Sequence, residues 1–128
     1  MTGLRSGEVY RTPELRALQA GMMDEVMRVV EAKGWTLSES DPRAKILHHS
    51  KLRFNKPSML QHVEQGRRTE IDAINGALVR EAHAMGMAVP YNEAVVAMIK
   101  GVEKSRRQLL HEPPIDYARL EAEAAADA

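Results

Sequence analysis

The chain contains no cysteine, which excludes a disulfide framework and a thiolate metal site. Aromatic residues are few, with one Trp, one Phe and three Tyr in 128 residues, and this shortage argues against a β-sandwich, whose strands draw on aromatic side chains. Neither sign of charge is in excess, because 18 Lys and Arg face 18 Asp and Glu. Without a net field, nucleic acid and membrane surfaces are not expected partners. No apolar run approaches the roughly 18 residues that a membrane span needs. The opening MTGLRSGEVYR has no apolar targeting core either. A soluble, cytoplasmic protein is the expectation.

What the sequence does hold is Ala, Leu, Met and Glu in quantity, all good helix formers, and the length suits one domain. An all-α, compact multi-helix fold follows. Thr12-Pro13 reads as a helix opening, and Leu15, Leu18, Met22, Val26, Val29 and Val30 then keep helical spacing up to Gly34. Trp35 and Leu37 are expected to fold back on that helix. Asp41-Pro42 opens a second helical segment through Ile46, Leu47, Leu52 and Phe54, interrupted at Asn55-Lys56-Pro57. A third helix is predicted from Thr69 to Gly86, with Ile71, Ile74, Asn75, Leu78, Ala82 and Met85 on one face and Ala73, Ala77 and Ala84 on a small-residue face. Asn75-Gly76 would mark a hairpin between strands, but its flanks repeat at helical spacing. After Pro90, Asn92 is the predicted cap of a long helix striped by Val95, Ile99, Val102, Leu109 and Leu110, which Pro113-Pro114 stops. Residues 1–112 are read as the helical domain and 113–128 as a flexible Ala/Glu-rich tail, where DYARLEAEAAADA can form a short marginal helix that frays at its end.

Two helix starts lie close together in PSMLQHVEQGRRTEIDAINGALV, from Pro57 to Val79. Ser58-Met59-Leu60-Gln61 matches a capping box, and such a helix start attracts anions such as a carboxylate. Thr69-Glu70-Ile71-Asp72 matches the acidic version and puts Glu70 in a first turn, where the helix dipole keeps its carboxylate ionised. That makes Glu70 an acceptor for a ligand hydroxyl. Taken alone, each pattern more often just starts a helix. Asn75 falls inside an apolar stripe and must find a partner, most simply a neighbouring backbone carbonyl. Arg67 and Arg68 read as a solvated turn. No metal is expected, because His48 and His49 point about 100° apart on a helix and His62, His83 and His111 lack ligand spacing.

The series Pro57-Ser58-Met59-Leu60-Gln61, Gly66-Arg67, Thr69-Glu70-Ile71-Asp72, Ile74-Asn75-Gly76, Gly86, Val89-Pro90 and Asn92-Glu93 resembles the C-terminal domain of ketopantoate reductase, also called 2-dehydropantoate 2-reductase. The match is dense from about Asn55 to Lys100. The resemblance implies the C-terminal helical fold of ketopantoate and 6-phosphogluconate-dehydrogenase-like reductases. In that family a Rossmann domain binds NADPH, the helical domain closes over it, and hydride passes to a 2-keto acid whose oxygen a lysine protonates. Carried over residue by residue, Ser58, Gln61 and Asn55 would contact the substrate and Glu70 the cofactor. His62 replaces an acidic residue usual after the Gln, and Ser6 stands where some members have another substrate-binding asparagine. Neither the catalytic lysine nor a Rossmann glycine motif is found, so the chain is expected to bind no NADPH alone and to work with a Rossmann-domain partner. The alternative is a non-catalytic helical interaction module that self-associates as a homodimer.

Overall fold

The computed structural model describes residues 2–38, 40–54 and 56–128. Among these there are helices and no strands, as an all-α composition requires: α1 (Ser6–Arg11), α2 (Pro13–Lys33), α3 (Pro42–Leu52), α4 (Ser58–Glu64), α5 (Asn75–Ala84), α6 (Pro90–His111) and α7 (Tyr117–Asp127). None of the helices is long and apolar enough to cross a membrane.

The frame is made by α2, α5 and α6. Val29 of α2, Ala82 of α5 and Val89 before α6 are fully buried, and Leu78, Val79, Met85 and Met87 pack around them. Burying Val29 and Val89 contributes about 1.5 kcal/mol or more apiece. The predicted punctuation holds at several points. Gly34 and Gly86 have φ of +70° and end α2 and α5, a left-handed conformation that only glycine adopts without strain. Asp41 caps α3 by accepting from the Ala44 amide at 3.1 Å.

A polar knot crosses this frame. The Glu25 carboxylate, 1% exposed, accepts the backbone N–H groups of Tyr91 and Asn92 at 2.8 Å each and the Asn92 side-chain amide at 2.8 Å. It therefore satisfies the open N-terminus of α6 from another helix. Asn92 is not the predicted cap. Val89 holds the cap position with Pro90 first in the helix, while the buried Asn92 side chain also donates to the Met22 carbonyl at 3.2 Å and accepts from the Asn75 amide at 2.8 Å. Asn75 thus finds a side chain and not the backbone carbonyl expected for it.

Other departures have equally local causes. The six-residue α1, unforeseen in the sequence, is held by long-range bonds: the Gly7 amide donates to the Arg53 carbonyl at 2.7 Å and the Arg5 guanidinium to the Phe54 carbonyl at 2.7 Å. A Cβ on Gly7 would lie 2.4 Å from the Phe54 ring, so this close approach needs glycine. Trp35 turns back over Lys33, whose ammonium is 5.9 Å from the ring centroid, but the indole stays half exposed. The stretch read as a marginal tail carries α7, capped by Asp116 accepting from the Arg119 amide at 3.0 Å.

Candidate functional site

Pro57 fixes the geometry at the start of α4. Its φ of −61° and extended ψ put proline at the cap position and make Ser58 the first helical residue, so the expected Ser58 to Gln61 capping box does not form. Gln61 instead donates its side-chain amide to the Lys56 carbonyl at 3.0 Å, tying the helix to the segment before it. Lys56 closes the same loop by an ion pair to Glu64 at 2.6 Å. Leu60 and Val63 are the buried face of α4, which leaves Ser58 and Gln61, one turn apart, together on its exposed side. The Ser58 hydroxyl takes no hydrogen bond among the described residues. Asn55, the third expected substrate contact, lies outside the described residues.

Beyond α4, Gly66 turns the chain with φ +69°. The His111 ring nitrogen lies 3.0 Å from the Gln65 carbonyl, which fixes this turn against the end of α6.

Residues 69–74 form a hydrogen-bonded turn and not the first turn of a helix; α5 begins only at Asn75. The reason is a competitor for the first amide. Glu103 of α6, buried and 34 residues away, accepts both the Thr69 amide at 3.3 Å and the Thr69 hydroxyl. In the predicted box the Thr69 amide would have gone to Asp72, the acid three residues on. Thr69 still accepts the Ile71 amide at 3.3 Å, and the Glu70 carbonyl accepts from Ala73 and Ile74 at 3.0 Å each. Ile71, 2% exposed, anchors the turn in the interior.

Asp72 is tied outward. It pairs with Lys100 at 2.8 Å and Arg68 at 3.3 Å. The Lys100 ammonium bonded to it holds its carboxyl below the ordinary value of 3.8, with Arg68 adding to the effect and partial desolvation opposing it. Lys100 and Glu103, one turn apart on α6, therefore grip the turn on either side of Glu70. Glu70 itself is exposed, and its carboxylate takes no bond or ion pair among the described residues.

Ser58, Gln61 and Glu70 are thus each exposed to solvent. A hollow of about 310 Å³ beside α4 is lined by Leu15, Leu18, Met22, Met59, Val95 and Ile99, among others. None of the three candidate residues lines it. No group of three or more His, Asp or Glu among the described residues is arranged to hold a metal ion.

The sequence reading missed Glu25, Lys100 and Glu103. A signal existed for two of them. Glu103 follows Ile99 by four residues and Glu25 precedes Val29 by four, so each acid falls on a stripe whose other members are buried, and a carboxylate in that register must serve as a buried acceptor.

Comparison with known proteins gives a consistent result. The family described as "Ketopantoate reductase PanE/ApbA C terminal" matches residues 1–103. The 2-dehydropantoate 2-reductase of Archaeoglobus fulgidus is 31% identical over 100 residues, which is 78% of this chain and 33% of that protein. The Escherichia coli O157:H7 protein of the same name is 38% identical over 87 residues, 67% of this chain and 29% of its own length. The crystal structure of a PanE/ApbA family ketopantoate reductase from Ralstonia eutropha JMP134 superposes with a TM-score of 0.77 at 29% identity, covering 83% of this chain and 36% of that one. D-mandelate dehydrogenase, solved with NADH and anilino(oxo)acetate, shares the fold at a TM-score of 0.69 and 24% identity, over 81% of this chain and 44% of its own. The chain spans about a third of the length of the curated relatives it matches.

Proposed function

Since the chain belongs to the ketopantoate reductase family as a C-terminal domain of that kind, we propose that it forms the substrate-side wall of an NADPH-dependent reductase that turns a 2-keto acid, 2-dehydropantoate in the family's case, into the 2-hydroxy acid. The observation that carries this reading is that the Ser58 hydroxyl and the Glu70 carboxylate are exposed and bonded to no described residue, while Gln61 near the first and Thr69 and Asp72 beside the second are tied down.

In this reading the Ser58 hydroxyl and the first-turn amides of α4 receive the substrate carboxylate, where donors and the positive helix end coincide. Gln61 holds the segment from Lys56 in place beside it, and Asn55 belongs to the same side. An exposed Glu70 fits a ribose-bearing cofactor, because a carboxylate accepts hydrogen bonds from sugar hydroxyl donors. NADPH supplies the hydride when bound. The residues of this chain orient the keto acid and the cofactor's sugar relative to each other, a contribution of position and not of proton transfer. Exposed groups need a second wall. The cofactor-binding half, on the same polypeptide or another, supplies that wall and the proton donor, so the 128 residues alone are inactive.

The test is NADPH oxidation with 2-dehydropantoate, using the purified chain with and without the cofactor-binding half of a relative. The expected result is no turnover alone, and turnover on combination that Glu70→Ala and Ser58→Ala lower by about tenfold or more, the worth of one charge-assisted hydrogen bond. Robust turnover by the chain alone overturns the reading, as does indifference of the combined enzyme to both substitutions.

A second reading, a non-catalytic helical dimerisation module, is favoured by the apolar side chains left exposed on α6 and α7, namely Met98, Leu109, Tyr117 and Leu120.

A further inference from the structure

Two surfaces of the chain are unpartnered, and they match each other. On α6, Met98, Val102, Ser105 and Leu109 follow at intervals of four, three and four residues and so share one face. Met98 is 53% and Leu109 72% exposed. Gly101 lies beside this face, and a Cβ built there would meet nothing within 4 Å, which leaves room for another backbone to come close. On α7, Tyr117, Leu120 and Ala124 form an apolar stripe by the same rule, with Tyr117 66% and Leu120 46% exposed.

The charges beside the two stripes are opposite. Exposed Arg106 flanks the α6 stripe and has no ion-pair partner among the described residues. Exposed Glu121 and Asp127 accompany the α7 stripe and are equally without one, while Glu123 pairs with Arg119 at 3.0 Å. The α6 stripe runs about 16 Å from Met98 to Leu109, and the α7 stripe about 10 Å from Tyr117 to Ala124, so the whole acidic stripe can lie along the longer one.

Within one chain the two stripes do not meet. The backbone at Glu112 is extended, with φ −117° and ψ 157°, and Pro113-Pro114 keep it from folding back. An open hollow lined by Ser105, Gln108, Leu109, Pro113 and Tyr117 separates the end of α6 from the start of α7. All eleven residues of α7 are exposed.

We propose that two copies of this chain exchange α7, each laying its acidic, apolar-striped helix along the basic, apolar-striped outer face of the other's α6. Such an exchange is isologous, so each matched contact occurs twice, and a short proline-bearing hinge joining a helix to its body is the arrangement in which exchange between copies costs little. The contact is part apolar and part ionic. Added salt therefore weakens it without abolishing it. This inference does not depend on the reductase reading.

The experiment is sedimentation equilibrium on the full chain over a wide concentration series. The expected result is a reversible monomer–dimer equilibrium, weakened by about tenfold or more in Leu120→Asp or Leu109→Asp. A pair of charge reversals provides a check that does not disturb the apolar seam: R106E on one chain and E121K/D127K on another. Each variant alone sets like charges across both contacts and dimerises more weakly than the parent. Mixed together they restore both contacts and form a heterodimer. A chain that stays monomeric throughout, a dimer indifferent to the α7 substitutions, or a mixture no tighter than its components overturns the proposal.

Discussion

The knot of Glu25, Asn92 and Asn75 and the surroundings of Ser58 and Glu70 are both polar, yet they are built on opposite rules. In the knot Glu25 and Asn92 are buried, Asn75 is half-buried, and each is answered: one carboxylate takes three N–H donors, and one asparagine joins three helices. Around Ser58 and Glu70 the supporting atoms are answered, by Glu103, Lys100 and Lys56, while the Ser58 hydroxyl and the Glu70 carboxylate have no partner among the described residues. Burial with full satisfaction marks the polar groups that hold the frame; exposure on a frame held from behind marks those free for chemistry.

Substitutions separate the two most clearly in the knot. Glu25→Ala strands two backbone N–H groups and an amide in the interior and is expected to cost about 3 kcal/mol or more, measured by urea denaturation; a loss below about 1 kcal/mol would remove the distinction. Asn75→Ala breaks one part-buried hydrogen bond, to Asn92, and should cost about 1–2 kcal/mol in the same measurement. Ser58→Ala and Glu70→Ala sever no bond to the described residues, so each should change stability by about 0.5 kcal/mol or less while lowering the activity of the assembled reductase.

The smallest effect is an acid titration. Asp72 has its folded-state value held below 3.8 by Lys100, so its contribution to stability is present above that value and is lost as pH falls through the lowered one. Lys100→Met should flatten the acid limb of the stability curve. An unchanged limb would mean that the Lys100 contact contributes nothing in solution.

The elements that could be read from the sequence were those written in neighbouring residues. Thr12-Pro13, Gly34, Asp41-Pro42, Gly86 and Pro90 all mark helix limits close to where they fall, because capping, proline and left-handed glycine act over a few positions. The family was legible for a related reason, since its motif elements cluster between Pro57 and Glu93. What escaped was decided across the chain. Thr69 has every local feature of a cap, but its amide answers to Glu103, and α5 starts six residues late. Ser58 has the right residue type, yet Pro57 occupies the capping place. The α1 helix depends on Arg53 and Phe54, and Asn75 on Asn92, pairings that no local pattern announces. The candidate residues themselves were found by resemblance; their freedom from other bonds was visible only in three dimensions.

Helix α6 meets α4 through His111 at the Gln65 carbonyl and meets the Glu70 turn through Glu103 and Lys100. One helix therefore braces both the turn after α4 and the turn that carries Glu70. Under the proposed function, a disturbance in the middle of α6 would shift the two in concert and should register as one correlated change in the handling of substrate and cofactor, whereas a defect in either loop would spoil one and spare the other.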